Sequence, residues 1–334
     1  MQAQAPSMTK ASVWNLDVEG YRPHELHREN RNFIESNCYI DIWVELIHAL
    51  DMEVYPFLAF TLASDFEDDQ WTFYKPSFDD LQTLYGISVQ EMYLWGPLHH
   101  QIAKQLHHKK IVLLEADSFY LPDTQETDYK ANHVKTTIAI ESIDLDAKTM
   151  SYFHNAGYYA LGNDDFDGIF HLAKPPIDGY LPPLSEIVKL NSLKRLTQAE
   201  YLAHAKALAK HYVALLPEVN PIRRFKDSFN AEMEGLCEEG LEVYHQYAFG
   251  SLRQLGSCFE FSAYFLRRLQ ASDRQNHLDH VAAHFDQISS VAKALIMKGA
   301  RMVNRKTLKD VSGDFDNMAQ QWDAAMDALR DEFA

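Results

Sequence analysis

The first clear rhythm in the chain begins at Ser36. SNCYIDIWVELIHAL sets Ile40, Trp43, Val44, Ile47 and Leu50 at helical spacing, with Ser36 or Asn37 as the N-cap. A further helical stretch covers about Pro56 to Ser64, and SFDDLQTLYG repeats the pattern up to a stop at Gly86. WGPLHHQIAKQLHHKK reads as a helix opened by Gly96-Pro97 and closed by a basic end, which suits the helix dipole. Then the period changes. IVLLEADSFYL (111–121) is a continuous apolar run ended by Pro122, the mark of a buried strand. HVKTTIAIESI (133–143) alternates, IDLDAK supplies a turn, and TMSYFHNAGYYAL (149–161) is strand-like and aromatic. An antiparallel hairpin beside a third strand is the expectation.

Residues 1–12 read as a frayed tail, and the four prolines of AKPPIDGYLPPL (173–184) read as a boundary. Beyond it the pattern is helical throughout: 197–216, about 238–270, about 278–301 and 314–333, with no convincing strand. Helices followed by strands predict an α+β domain over residues 1–180, succeeded by an all-α bundle over 181–334.

Composition narrows the class. With 334 residues, 46% apolar and 24% charged, the chain is long enough for two packed cores and excludes collagen-like or low-complexity folds. No run approaches the roughly 20 apolar residues of a membrane span. The N-terminal MQAQAPSMTKASVW lacks the basic-then-apolar layout of a secretory signal. Three cysteines cannot build a disulfide framework, so a cytoplasmic setting is expected. The net charge is -17, and its distribution is uneven. Residues 1–180 carry 12 Lys and Arg against 28 Asp and Glu, whereas residues 181–334 carry 19 against 20. So acidic a first half repels a phosphate backbone, and nucleic acid is not an expected partner.

Cys38 falls in the first turn of its helix, where unpaired N–H groups and the dipole stabilise negative charge. Cys237 and Cys258 lie in helical stretches and read as buried apolar residues. His133 opens the first hairpin strand, and Asn155 lies on the returning one. A helix-borne Cys, then a strand-borne His, then an Asn on the next strand is the chain order of papain-like thiol enzymes. In such a set His takes the thiol proton and the Asn holds the ring. His154 and Asp144 are the competing third members, and a turn or edge role for Asn155 is an equal alternative.

SNCYIDIWVELIHAL, DFEDDQWTFYKP, EADSFYLPDT, YKANHVKTTIAI and YFHNAGYYAL together resemble a bacterial domain-of-unknown-function family, numbered eighteen-thirty-nine. That family resembles the butirosin-biosynthesis H acyltransferases, whose papain-like domain is followed by a helical one. The resemblance implies aminoacyl transfer from the phosphopantetheine thioester of a carrier protein, through an acyl-Cys intermediate, to an amine acceptor. It matches Cys38 to the nucleophile and His133 to the base, and puts Asn155 where the third member is often Asp. The usual oxyanion-hole Gln, six residues before the Cys, is here Asn32. The Gly-rich peptidase signature is missing around Cys38, which favours transfer over proteolysis.

Residues 289–309 hold six basic side chains and no acid, and Lys298, Arg301 and Arg305 share one helix face. An acidic carrier protein would dock there, a solvated face or an intramolecular partner being the alternatives. His277, His280 and His284 also share a helix face, but no further ligand can be named and no metal is expected. The acidic run Asp65, Glu67, Asp68 and Asp69 reads as a solvated loop or as the lining of an amine pocket, since it lacks the layout of a calcium loop. No P-loop, dinucleotide fingerprint or nucleophile elbow is present. The expected enzyme therefore needs no cofactor of its own. A peptidase or amidase, and a non-catalytic carrier-binding module, are the other readings.

Overall fold

The computed structural model describes residues 9–28, 31–72, 75–172, 181–272 and 278–333. They form two compact units, one taking residues 9–28, 37–52, 78–172 and 181–195, the other 31–36, 53–72, 75–77, 196–272 and 278–333.

The first unit is a mixed domain built on an antiparallel sheet. In chain order it contains β1 (Lys10–Ser12), α1 (Cys38–Ala49), α2 (Phe78–Tyr85), β2 (Ser88–Glu91), α3 (Leu98–His107), β3 (Lys110–Asp117), β4 (Lys135–Asp144), β5 (Thr149–His154), β6 (Gly157–Gly162), α4 (Asp164–Ile169) and β7 (Ser185–Lys189). The sheet runs β2-β7-β3-β4-β5-β6, every pair antiparallel. β3 leaves β4 at Ile140, and β1 takes up the same edge from Ser142 to Asp144. β3 is the buried strand its apolar run announces, with Ile111, Val112, Leu113 and Leu114 almost wholly covered. α1 packs on β4 and β5, and α3 on β1, β3 and β4.

Four features depart from the sequence reading. Lys10–Ser12, expected as tail, is a strand, because β4 offers it a free edge. The single aromatic strand expected over 149–161 is two strands, since Asn155 adopts a positive φ of 44° and turns the chain after His154. The run expected as strand over 111–121 stops at Asp117, whose side chain caps the short turn Ser118–Tyr120. Finally, β7 lies beyond the boundary drawn at 180/181. Its SEIVK alternation is too short to stand out in the sequence, yet it pairs with both β2 and β3. Residues 173–180 of the proline-rich boundary and 1–8 of the tail lie outside the described residues.

The second unit is all-helical: α5 (Gln198–Val213), α6 (Pro221–Glu239), α7 (Leu241–Ala248), α8 (Gln254–Ser272), α9 (Asp279–Arg305) and α10 (Ser312–Phe333). Thr197 and Glu200 close a capping box on α5, and Asn220 followed by Pro221 starts α6, a helix absent from the sequence reading. The stretch expected as helix near Pro56 is a 3-10 helix, Tyr55–Ala63, packed on α5 and α8. Phe66 and Trp71 stack around Phe225, which touches Phe229 and Phe315, so the early segment completes this core. Among the described residues no helix is long and apolar enough to cross a membrane.

Candidate active site

Cys38 is the first residue of α1 and is half-buried. Asn37 caps the helix, its Oδ1 accepting from the N–H groups of Tyr39 (3.1 Å) and Ile40 (3.0 Å). The N–H of Cys38 itself bonds no described residue, so it is the donor at the helix start that remains for an oxyanion.

The helix is fixed from below by a polar cluster. Asp41 and Glu45, one turn apart on α1, are fully buried around His27. The His27 Nε2 lies 3.3 Å from Asp41, its Nδ1 bonds Glu45, and Glu45 also accepts from the Tyr21 hydroxyl and the His24 N–H. Burial alone would push the imidazole down. Hydrogen bonds to the two carboxylates, and their charges, outweigh it and raise His27 to about 9. Burial, reinforced by Glu45, pushes the Tyr21 phenol up, so it stays a donor.

His133 precedes β4, and its ring is held on two sides. Its Nδ1–H donates to Asp117 Oδ2 at 2.6 Å, and its face stacks on Phe119 at 4.4 Å between centroids and 11° between planes. Asp117 does both jobs at once, because its Oδ1 accepts from the Phe119 N–H at 3.0 Å and thereby shapes the turn that presents the ring. With Nδ1 committed as donor, Nε2 is the basic nitrogen. The imidazole is about two-thirds exposed, open to an incoming substrate.

Strand register relates this pair to Cys38. Asp117 stands opposite Lys135, Glu115 opposite Thr137, Leu113 opposite Ala139, and Ala139 opposite Phe153. These alternate residues share one face of the sheet. Glu186 of β7, opposite Leu113, lies on that face too. α1 meets the same face at both ends. Tyr39, next to Cys38, donates to Glu186 at 2.8 Å, and Tyr21, bonded to Glu45, packs edge-on against Phe153. The Asp117 carboxylate and the Cys38 helix thus face one side of the sheet. Among the described residues no hydrogen bond joins the Cys38 thiol to His133.

Other expected members are placed elsewhere. Asn155 occupies the β5–β6 turn and is not the partner of His133, whose Nδ1 is taken by Asp117. Asp144 caps the β4–β5 turn through the N–H groups of Asp146 and Ala147, and pairs with Lys10. His154, one residue past Phe153, leaves the opposite face, where it donates to Asp123 (2.5 Å) and accepts from Thr136 (2.8 Å), almost wholly buried. Asn32 belongs to the helical unit. Its amide donates to Ser289 and Ser290, its N–H to Glu260, and its carbonyl accepts from Lys293, so its side chain is committed to structure rather than to an oxyanion.

In the helical unit Lys298 grips both carboxylate oxygens of Asp314, at 2.8 and 2.6 Å, which leaves Arg301 and Arg305 as the exposed basic pair of that face. His284 bonds Gln321, and His277 lies outside the described residues. Asp65 of the acidic run pairs with Arg224 in the helical unit, so the run is in part an internal ion pair. Cys258 sits wholly buried, its sulfur 2.7 Å from the Ser64 hydroxyl, and burial pushes its thiol up to about 12.

Asp117 is the site residue that sequence reasoning misses. Its signal in EADSFY is an acid closing a buried strand, followed by a chain that returns antiparallel with a His two residues before its partner. The His27 cluster also leaves a trace. Two carboxylates four apart in an otherwise apolar helix need a buried cation or donor.

A sequence model described as the DUF1839 N-terminal domain matches residues 22–190, and one described as the DUF1839 C-terminal domain matches residues 198–331. No curated protein matches the sequence.

Proposed function

The chain belongs to the DUF1839 family, and from that premise we propose that it is a cysteine-dependent acyltransferase with Cys38 as nucleophile, His133 as base and Asp117 as the residue that orients the base. The observation that carries this reading is the Asp117–His133 pair, built on the sheet face that α1 covers. The likeness expected between this family and the papain-like butirosin-biosynthesis H acyltransferases suggests the substrate class: an aminoacyl thioester on the phosphopantetheine arm of a carrier protein, with an amine as acceptor. Three unpaired cysteines fit a cytoplasmic setting.

In this scheme His133 Nε2 takes the Cys38 proton and the sulfur attacks the thioester carbonyl. The Cys38 N–H donates to the oxyanion of the tetrahedral intermediate. The carrier's thiol leaves with the proton returned by His133, giving an acyl-Cys38. The amine then attacks that acyl group while His133 accepts its proton, and the Cys38 sulfur departs, reprotonated. Aminolysis of a thioester is downhill, so positioning the amine and excluding water are the tasks left to the protein. Arg301 and Arg305 are the proposed docking pair for an acidic carrier, Lys298 being neutralised by Asp314.

Intact-mass spectrometry with an aminoacyl-loaded carrier protein tests the reading. A mass gain of one aminoacyl group on the wild type, absent in Cys38→Ala and discharged by an amine, supports it. Discharge by water alone would make the protein a hydrolase. Carrier binding with no adduct would make it a binding module.

A further inference from the structure

On an acidic chain, cations are scarce in the first unit, yet several gather at one place. The turn after α3 supplies His108 and Lys109, the start of β3 supplies Lys110 and the end of β7 supplies Lys189, around a cleft of about 570 Å³ walled by Trp14 and Leu190. That volume lies within the range of small-molecule sites. Lys110 and Lys189 are direct cross-strand partners, so their side chains leave the same face side by side. Like charges in that relation destabilise a sheet unless something compensates them. No carboxylate does so here: among the described residues none of the three lysines nor His108 forms an ion pair, Lys110 reaching only Gln105 at 3.4 Å. Lys109 donates to the carbonyls of Ser12 (2.7 Å) and Val13 (3.2 Å), which ties the wall carrying Trp14 to the basic rim. Glu141, which holds the Trp14 wall, is itself engaged by the Ser12 and Tyr158 hydroxyls and by the N–H groups of Trp14 and Asn15.

We propose that this cleft binds a small molecule bearing at least two phosphate charges, with its organic part against Trp14 and Leu190. Three ammonium groups and an imidazole around one cavity call for a multiply charged anion, since a single carboxylate or phosphodiester would leave the Lys110–Lys189 repulsion largely in place. The site is separate from the Asp117–His133 pair. Lys110 and Asp117 stand at opposite ends of β3, roughly 23 Å apart along the strand, and the odd step between them sends their side chains to opposite faces. The ligand is accordingly an effector or second substrate rather than the carrier's arm, and the inference does not depend on the acyltransferase reading.

Calorimetric titration of the full chain with inorganic pyrophosphate and with adenosine diphosphate tests it. The expected result is saturable one-to-one binding in the micromolar to low millimolar range, weakened as salt rises from about 50 to about 300 mM. Lys110→Gln/Lys189→Gln should weaken binding at least about tenfold, while its melting temperature without ligand is unchanged or higher because the repulsion is gone. That stability reading separates loss of a site from loss of the fold. Adenosine diphosphate should also quench Trp14 emission, a change missing in Trp14→Phe. No saturable heat with either anion at millimolar concentration, or unaltered affinity in the double variant, would overturn the proposal.

Discussion

Asp117 holds His133 by one carboxylate oxygen and the Phe119 amide by the other, so a single side chain sets both the tautomer of the imidazole and the ring it rests on. Asp117→Asn keeps an oxygen for the Phe119 cap but turns an N–H group towards His133 Nδ1, which favours the wrong tautomer of the ring. The rate of Cys38 acylation by a loaded carrier should drop by roughly 10²–10⁴, with thermal stability nearly intact. An unchanged rate would remove Asp117 from the mechanism.

Asn155 gives the converse result. Its positive φ serves the β5–β6 turn, where Asn and Gly are tolerated and Ala is strained. Asn155→Gly should leave both stability and acylation close to wild type. Asn155→Ala should cost about 1 kcal/mol in unfolding experiments and leave the acylation rate of the folded protein unaltered. A large kinetic loss in the Gly variant would restore Asn155 to the site.

The three thiols should be distinguishable by alkylation. Cys38 is half-buried, whereas Cys237 and Cys258 are buried, and the Cys258 thiol is raised to about 12. Iodoacetamide under native conditions should add one carboxamidomethyl group, mapped by peptide mass to Cys38. Guanidinium should release the other two. Equal labelling of Cys258 in the native protein would contradict the packing around Ser64.

His27 links stability to pH with a definite sign. Its folded value of about 9 exceeds the ordinary 6.5, so the folded state binds this proton more tightly. The stabilisation is complete below about pH 6.5 and is lost as pH rises through about 9, a tenfold gain in proton affinity corresponding to about 1.4 kcal/mol. Urea midpoints should therefore fall between pH 7 and pH 9.5. In His27→Gln that alkaline decline should flatten, on a lower baseline because Asp41 and Glu45 lose their cation. A parallel decline in both proteins would place the alkaline sensitivity elsewhere.

How far the sequence can be read follows from where each signal is local. The helix at Cys38 and its Asn37 cap are legible because capping and apolar spacing are properties of consecutive residues. The buried strand β3 is legible for the same reason. The partner of His133 is not, because Asp117 reaches it through an antiparallel pairing sixteen residues away in the chain. A short strand such as β7 carries too few alternations to be seen alone, and is fixed by neighbours on both sides. Asn32 illustrates the limit of position matching. It does stand six residues before Cys38, but its amide serves Ser289 and Ser290, more than two hundred and fifty residues downstream.

The early segment 53–72 completes the aromatic core of the helical unit although it precedes most of the sheet in the chain. During synthesis, Phe66 and Trp71 leave the ribosome well before Phe225 and Phe259 exist to receive them. The nascent chain must therefore keep an apolar loop unsatisfied until its last helices are translated, which makes this segment the natural client of a chaperone and a poor place to divide the gene into independently expressed halves.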